Sequence, residues 1–227
     1  MSRDAELAAT TRGELREVIM RGLERDYISE SCQDAIETGN HYQSVRLGDE
    51  QTQGFRSLRI DILDEIAFAG HSVLDLGSNL GELSRAARDR GAVLVDGLEY
   101  DSYFVEMANL INAYNGTTRV SFYQRDITDR SVYGEKYDIV LALAVFVYIR
   151  PLMEVIAEVA REALILETHR IDDNLESYYM SAVCPYFPAY TKLRETEWGR
   201  PHEGESVRRA FFAFARDQET LDRIVRR

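Results

Sequence analysis

The decisive stretch of the chain is a short apolar run ending in a glycine loop, Val73-Leu74-Asp75-Leu76-Gly77-Ser78-Asn79-Leu80-Gly81. Residues 72–76 predict a strand, and residues 80–90, followed by Gly91, predict a helix. Gly77 would let the backbone turn sharply between the two and approach a ligand closely. Taken alone, the loop fits a tight strand–helix turn as well as a binding loop. Asn79 also stands where the second glycine of such loops is usual.

Beyond this loop, short apolar runs alternate with helical stretches. Strands are predicted at 92–98, 119–124, 137–143 and 163–167, and helices at 102–114 and 151–161. Such alternation predicts βαβ units and a parallel sheet. Two further strands, 190–197 and 209–216, have no strong helix between them and should pair antiparallel. The predicted fold class is therefore α/β, a Rossmann-like doubly wound sheet that is mostly parallel and ends in an antiparallel hairpin.

The first part of the chain differs from the rest. Helical spacing predicts helices over 13–28 and 55–68, separated by a glycine-containing loop at 38–54. We expect residues 1–70 to form a helical cap on a core of residues 71–227, the whole being a single domain. The aromatic-rich stretch 170–189 is expected either to cover the crevice as a lid or to pack against the final hairpin.

Composition restricts the partners. The formal net charge of -12 disfavours a nucleic-acid backbone, and the longest apolar run, 139–149, is too short to insert into a membrane. The distant cysteines, Cys32 and Cys184, make no metal pattern, and Asp172-Asp173 has no further ligand nearby, so we expect no metal. We expect a cytoplasmic protein that acts on a small-molecule or glycan acceptor. Whether the protein forms a homo-oligomer stays open.

Acidic residues follow successive predicted strands. Glu99 lies 22 residues after Gly77, where a carboxylate typically accepts hydrogen bonds from ribose hydroxyls. Its neighbour Asp101 is placed to cap the next helix instead. Asp126 follows the third strand and would accept from an adenine amino group with Ile127 beside the ring, although an aspartate there also suits a simple turn.

The next strand end completes the crevice. Residues 137–143 are nearly all apolar, which is typical of a central buried strand, and Leu143 would lie against the amino-acid part of a nucleoside ligand. Together these features predict S-adenosylmethionine as the cofactor. The neighbouring residues Asp75, Ser78, Asn79 and Tyr100 are further candidate contacts. A nicotinamide enzyme is the alternative, but it would normally carry a more complete G-x-G-x-x-G loop.

Over residues 41–216 the sequence resembles the class I methyltransferases. Two groups are more similar than the rest: the methyltransferase part of bacterial O-antigen chain-terminating enzymes, and the enzymes that carboxymethylate tRNA wobble uridine. The resemblance rests on Tyr42-Gln43, on Arg59 within 58–63, and on residues 73–81, 144–149 and 163–168.

The resemblance implies that Tyr42 and Gln43 lie over the cofactor and that Arg59 holds its carboxylate. The alternatives are a packed aromatic for Tyr42 and a surface charge for Arg59. A guanidinium suits a carboxylate because its donors form a planar fork. Relatives often carry histidines where this chain has Val147 and Tyr148, so acceptor chemistry does not transfer.

The predicted reaction is direct in-line methyl transfer, and a hydroxyl acceptor would benefit from a general base. His169, just past the strand 163–167, is the first candidate for a general base, with Glu167 and Tyr148 as alternatives. We expect an enzyme that O-methylates a small molecule or glycan. A tRNA-modifying relative, or an N-methyltransferase of a natural-product or sugar intermediate, remains the alternative.

Overall fold

A seven-stranded sheet forms the centre of the molecule in the computed structural model, which describes residues 11–23, 43–52, 58–169, 175–199 and 206–226. Its strands are β3 (Ser72–Leu76), β4 (Leu94–Glu99), β5 (Val120–Gln124), β6 (Tyr137–Leu143), β7 (Ala160–Glu167), β8 (Ala189–Gly199) and β9 (Ser206–Ala215). A small hairpin, β1 (Arg46–Leu47) and β2 (Glu50–Gln51), precedes them.

The strand order is β5-β4-β3-β6-β7-β9-β8. The first five strands of this order are parallel, whereas β9 pairs antiparallel with both β7 and β8. The predicted fold class, a mostly parallel doubly wound sheet with an antiparallel C-terminal hairpin, is confirmed. The order reverses between β3 and β6, and a ligand crevice is expected at such a switch point, outside the carboxyl ends of the strands.

The helices are α1 (Arg12–Leu23), α2 (Leu58–Ile62), α3 (Glu82–Asp89), α4 (Ser102–Asn115), α5 (Phe146–Ile149), α6 (Met153–Val159), α7 (Leu175–Val183) and α8 (Gln218–Ile224). Short 3-10 turns cover Leu63–Glu65, Arg130–Val132 and Arg150–Leu152. None of the helices within the described residues is long and apolar enough to cross a membrane.

Two apolar layers cover the two faces of the sheet. On one face, Ile139 and Ile165 pack with residues of α3 and α8; on the other, Val140 and Leu164 pack with residues of α6 and α7. The alternation follows from the strand period of two, and β6 is buried on both faces because it is central and parallel. A third cluster joins α1 to α4 and includes Ile19 and Ile111.

Several predicted boundaries are wrong. The helix predicted over 151–161 ends at Val159, because Ala160 is already extended and pairs with Tyr137 of β6. The Arg216 side chain donates to the carbonyl oxygens of Ala157 and Ala160, so carbonyls at this helix end are satisfied. The stretch predicted as the loop 38–54 contains the β1–β2 hairpin within its described part.

Candidate active site

The glycine loop lies between β3 and α3 and is held against the end of β4. The backbone N–H groups of Gly77 and Ser78 both donate to the carbonyl oxygen of Leu98, at 2.8 and 3.0 Å. Gly77 has φ +72° and Gly81 has φ +77°, and Asn79 between them also has a positive φ of 50°. Asparagine tolerates this left-handed conformation better than most residues, which explains its place in the loop.

A second turn closes on this loop from the neighbouring strand. A Cβ atom on Gly77 would come within 2.7 Å of Val145 Cγ1. Val145 follows Ala144, a non-glycine residue with φ +60°, directly after β6 ends. The turn after β6 therefore occupies the space that any side chain at position 77 would need.

Glu99 is held rigidly at the end of β4. Its Oε2 accepts the N–H of Asn79 at 2.9 Å and its Oε1 accepts the N–H of Asp101 at 3.0 Å. A carboxylate has about four lone-pair positions, so two remain for a ligand such as a ribose diol. Asp101 caps α4 through the N–H of Tyr103, as predicted.

Asp75 lies below the loop. It is buried and accepts the hydroxyl of Ser84 at 2.5 Å, which ties β3 to α3. Burial raises the pKa of Asp75 to about 6, and the charge of Glu99 adds to the rise, whereas the Ser84 hydrogen bond and the charge of Arg59 oppose it. These contacts give Asp75 a supporting position under the predicted cofactor.

Three buried polar atoms around the loop have no hydrogen-bond partner within the described part of the chain: Ser78 Oγ, Asn79 Oδ1 and Glu82 Oε1. Buried polar groups in proteins are nearly always paired, so this concentration indicates a site for a polar ligand. Asn79 Oδ1 and Glu82 Oε1 are acceptors in their usual forms, and the hydroxyls and amino group of S-adenosylmethionine are donors that fit them. The residues present therefore suit the predicted cofactor.

The N-terminal segment reaches the same loop. Gln43 is buried, and its Oε1 accepts the N–H of Glu82 at 3.3 Å. Arg59 on α2 is buried and contacts Glu167 Oε2 at 2.5 Å, while Arg209 of β9 donates to Glu167 Oε1 at 3.2 Å. The predicted contact Tyr42 lies outside the described residues.

The adenine side is more open. Tyr100 is largely exposed at the crevice rim, and Ile127 and Leu143 are buried. Asp126 is exposed, and its Oδ1 accepts both the hydroxyl and the N–H of Thr128, which lowers the pKa of Asp126. The simple turn considered for Asp126 is therefore present. Both of these bonds fall on Oδ1, so the turn does not involve Oδ2, and the adenine contact of Asp126 stays a prediction.

The ends of β6 and β7 carry the residues predicted to face the acceptor. Leu143 pairs with Glu167, and His169 follows two residues later, its backbone N–H donating to the Tyr179 hydroxyl at 3.2 Å. Tyr148 on α5 is 55% exposed. The contacts of Glu167 with two guanidiniums favour a structural role for that carboxylate over proton transfer.

The aromatic stretch is mainly packing in its described part. Phe146 contacts the rings of Tyr178 and Tyr179 at centroid distances of 5.8 and 4.8 Å, and Tyr179 and Phe187 are buried. These rings pack into the core, and the expectation of a lid over residues 170–189 stays a prediction. They brace α5, which carries Tyr148, against α7.

Sequence reasoning missed three residues of this region: Glu82, Val145 and Arg209. Glu82 reads as an ordinary acidic residue in a first helical turn, and only its position directly after Gly81 could have marked it. No group of three or more His, Cys, Asp or Glu residues able to hold a metal occurs within the described ranges.

The fold and this crevice define a class I methyltransferase architecture, and comparison with known proteins agrees. Residues 73–163 match the family described as a methyltransferase domain. The similarity to methyltransferase domains therefore lies in residues 73–163, a stretch that contains the glycine loop and Glu99. The chain is 32% identical over 108 residues to a ribosomal protein L11 methyltransferase of Dictyoglomus turgidum. A second such enzyme, from Caldanaerobacter subterraneus, is 29% identical over 140 residues.

These alignments cover 48% and 61% of this chain, and the chain spans only 31% and 44% of the length of the two relatives. Among solved structures, WbdD superimposes with a TM-score of 0.60 at 16% identity, covering 79% of this chain and 39% of WbdD. Magnesium protoporphyrin IX methyltransferase from Synechocystis, solved with bound S-adenosylmethionine, gives 0.52 at 18% identity, covering 70% and 79%. Similarity at these identities establishes the shared fold.

Proposed function

We propose that this protein transfers the methyl group of S-adenosylmethionine to a hydroxyl group of a small molecule or glycan. The observation that carries the proposal is the position of His169 just after β7 and of Tyr148 on the short helix after β6, at the sheet edge that also carries the glycine loop. An imidazole and an exposed phenol at this edge provide a proton acceptor and an aromatic wall for a compact acceptor. The net charge of -12 also disfavours a nucleic-acid substrate.

Each residue has a separate role in this scheme. Glu99 accepts hydrogen bonds from the ribose, Arg59 faces the carboxylate, and Ser78 and Asn79 complete the polar wall. When bound, the cofactor supplies an electrophilic methyl group. Methyl transfer to an acceptor oxygen would leave the demethylated cofactor as the leaving group, with the electron pair of the broken bond on its sulfur. His169 takes the hydroxyl proton, and the protein's main contribution is alignment and exclusion of water.

The proposal is tested by incubating the purified protein with S-adenosylmethionine and two acceptor panels. One panel contains hydroxylated small molecules and sugars, and the other contains ribosomal proteins and tRNA. We expect mass spectrometry to find methyl gain on an oxygen of a member of the first panel, with equimolar S-adenosylhomocysteine. Methylation confined to protein or tRNA, with turnover absent from the first panel, would overturn the small-molecule assignment.

The ribosomal protein L11 methyltransferases among the similar proteins supply a second candidate, methyl transfer to a protein. A nitrogen acceptor must reach the methyl group as a neutral amine, so a base at His169 would also serve this reaction. The protein arm of the same experiment distinguishes the two candidates, because it identifies the modified atom by fragmentation.

A further inference from the structure

Glu82 is a buried carboxyl group for which the scheme above has no role. It is the first residue of α3, directly after the loop glycine Gly81, and it is only 8% exposed. Its Oε1 atom is buried and has no hydrogen-bond partner in the described part of the chain. A carboxylate oxygen left unpaired at such depth costs free energy, so its retention beside a ligand loop requires a reason.

Neighbouring residues hold Glu82 in position, but they provide no hydrogen bond to its Oε1 atom in the described part of the chain. Gln43 Oε1 accepts the Glu82 backbone N–H at 3.3 Å, and the backbone N–H of Ser44 donates to the Glu82 carboxylate. Arg85 lies on the same helix, but its side chain donates to the Leu80 carbonyl oxygen at 2.6 Å and to Asn112 at 3.4 Å. The carboxyl group is therefore held between the N-terminal segment and the loop.

Charge complementarity indicates which kind of group would bind at Glu82 Oε1. Arg59 and Arg85 act on Glu82 through their charges, and burial nevertheless raises the pKa of Glu82 to about 7. A cationic donor bound at Oε1 would restore the ionised form. The amino-acid end of the cofactor carries one ammonium group, and the predicted carboxylate contact, Arg59, lies close enough to Glu82 to act on its charge.

We propose that Glu82 binds the ammonium group of the cofactor, and that Glu82 and Arg59 together recognise its zwitterionic end. This role rests on the proposed function, since it requires the crevice to hold S-adenosylmethionine. It makes Glu82 a determinant of cofactor specificity, which would distinguish the full cofactor from nucleosides that lack the amino group. Asp75 and Glu99 remain responsible for the loop and the ribose.

A double-mutant cycle tests this role by calorimetry. The two ligands are S-adenosylhomocysteine and its analogue in which hydrogen replaces the amino group. The two proteins are the wild type and Glu82→Gln, which keeps the side-chain volume and an acceptor for Ser44. We expect Glu82→Gln to weaken S-adenosylhomocysteine binding by about tenfold to a hundredfold, the range for a hydrogen bond to a charged group. The analogue should bind both proteins equally.

The matched control is Glu154→Gln, which changes an exposed glutamate in the first turn of α6 and should leave both affinities unchanged. Equal weakening of both ligands by Glu82→Gln would show a structural role for Glu82 and overturn the inference. Failure of the wild type to bind S-adenosylhomocysteine would overturn the proposed function itself, so the two failures are distinguishable.

A measurement on the wild type alone covers the case in which Glu82→Gln does not fold. Calorimetry near pH 7 in two buffers of different ionisation enthalpy reports protons released on binding. We expect release with S-adenosylhomocysteine and markedly less with the deaminated analogue. The other charged groups acting on Glu82 are Arg59 from α2 and Arg85 from α3, and the nearby carboxyl of Asp75 meets both ligands alike. Equal proton release with the two ligands would overturn the inference.

Discussion

Gly77 is constrained in two independent ways. Its φ of +72° is one that side chains with a Cβ atom rarely adopt, and Val145 occupies the space in which that atom would lie. Either constraint alone would favour glycine. Together they place the glycine where the loop must pass between the cofactor crevice and the turn after β6.

Gly77→Ala should therefore destabilise the protein by about 1–3 kcal/mol and weaken binding of S-adenosylhomocysteine by at least about tenfold. Urea denaturation and calorimetry measure the two effects. Gly134→Ala is the control, because nothing lies within 4 Å of a Cβ atom at that position. Normal affinity in Gly77→Ala would contradict the loop's role.

Glu99 and Asp101 separate ribose binding from helix capping. Glu99→Ala removes the acceptor for two backbone N–H groups and for the ribose, so we expect cofactor binding to be lost in calorimetry. Asp101→Ala should instead cost about 1 kcal/mol of stability, through loss of the α4 cap, and leave affinity nearly unchanged. Similar affinities in the two variants would remove Glu99 from the binding site.

His169 is tested by separating turnover from binding. His169→Ala should lower kcat by about 10²–10⁴-fold, the usual contribution of a general base, while the affinity for S-adenosylhomocysteine changes little. Tyr148→Phe, which keeps the aromatic ring, serves as the comparison for acceptor packing. Unchanged kcat in His169→Ala would exclude the general-base role.

At the scale of elements, a buried ion-pair group joins α2, β7 and β9. Arg59, Glu167 and Arg209 are nearly inaccessible, with side-chain exposures of 7%, 2% and 11%. Removal of the central carboxylate would take a buried ion-pair partner from both guanidiniums, which is costly in a protein interior. The group therefore fixes how α2 meets the ends of β7 and β9.

Glu167→Ala should lower the free energy of unfolding by about 3–5 kcal/mol in urea titrations. The matched control is Asp89→Ala, which removes the partner of Arg46 in an ion pair more than half exposed, and should cost less than about 1 kcal/mol. Equal effects of the two substitutions would show that the buried group contributes no more than a surface pair.

Elements were predictable to different degrees. The bounds predicted for β3 and β6 agree with the structure, because both are apolar runs bounded by polar turns. The start of β7 was missed because Arg161 and Glu162 interrupt its apolar pattern and read as helix. Helix α7 was hidden within an aromatic-rich stretch, although Tyr179 and Val183 are buried at helical spacing.

The residues of the candidate site were also predictable to different degrees. Glu99 was predictable from its spacing to Gly77, since strand length and crossover length fix that distance along the chain. The contacts of Glu82 with Gln43 and Ser44, and of Glu167 with Arg209, join segments far apart in sequence. Such long-range contacts depend on tertiary packing, which spacing along one sequence does not reveal.

At the scale of the whole molecule, two buried carboxyls couple stability to pH. The pKa of Asp75 is raised to about 6 and that of Glu82 to about 7, from 3.8 and 4.5, mainly by burial. For each of the two groups, the folded state therefore binds more protons than the unfolded state at pH values between the ordinary pKa and the raised pKa. Their contribution to stability is full below about pH 4 and is lost as pH rises through 6 to 7.

We expect Glu82→Gln to flatten the pH dependence of the unfolding free energy between pH 5 and pH 8, by on the order of 2 kcal/mol. Urea titrations of both proteins across this range measure the difference, from which the other titrating groups cancel. Glu154→Gln should follow the wild type. Parallel curves for wild type and Glu82→Gln would contradict the raised pKa.

The contact between Val145 and the position of Gly77 joins two regions that handle different molecules. Val145 fills the space beside Gly77, between the glycine loop and the short helix that carries Tyr148. Binding of the cofactor should consequently change the shape of the site that is open to the acceptor. Such a shared boundary favours ordered binding, with the cofactor before the acceptor, over binding in random order.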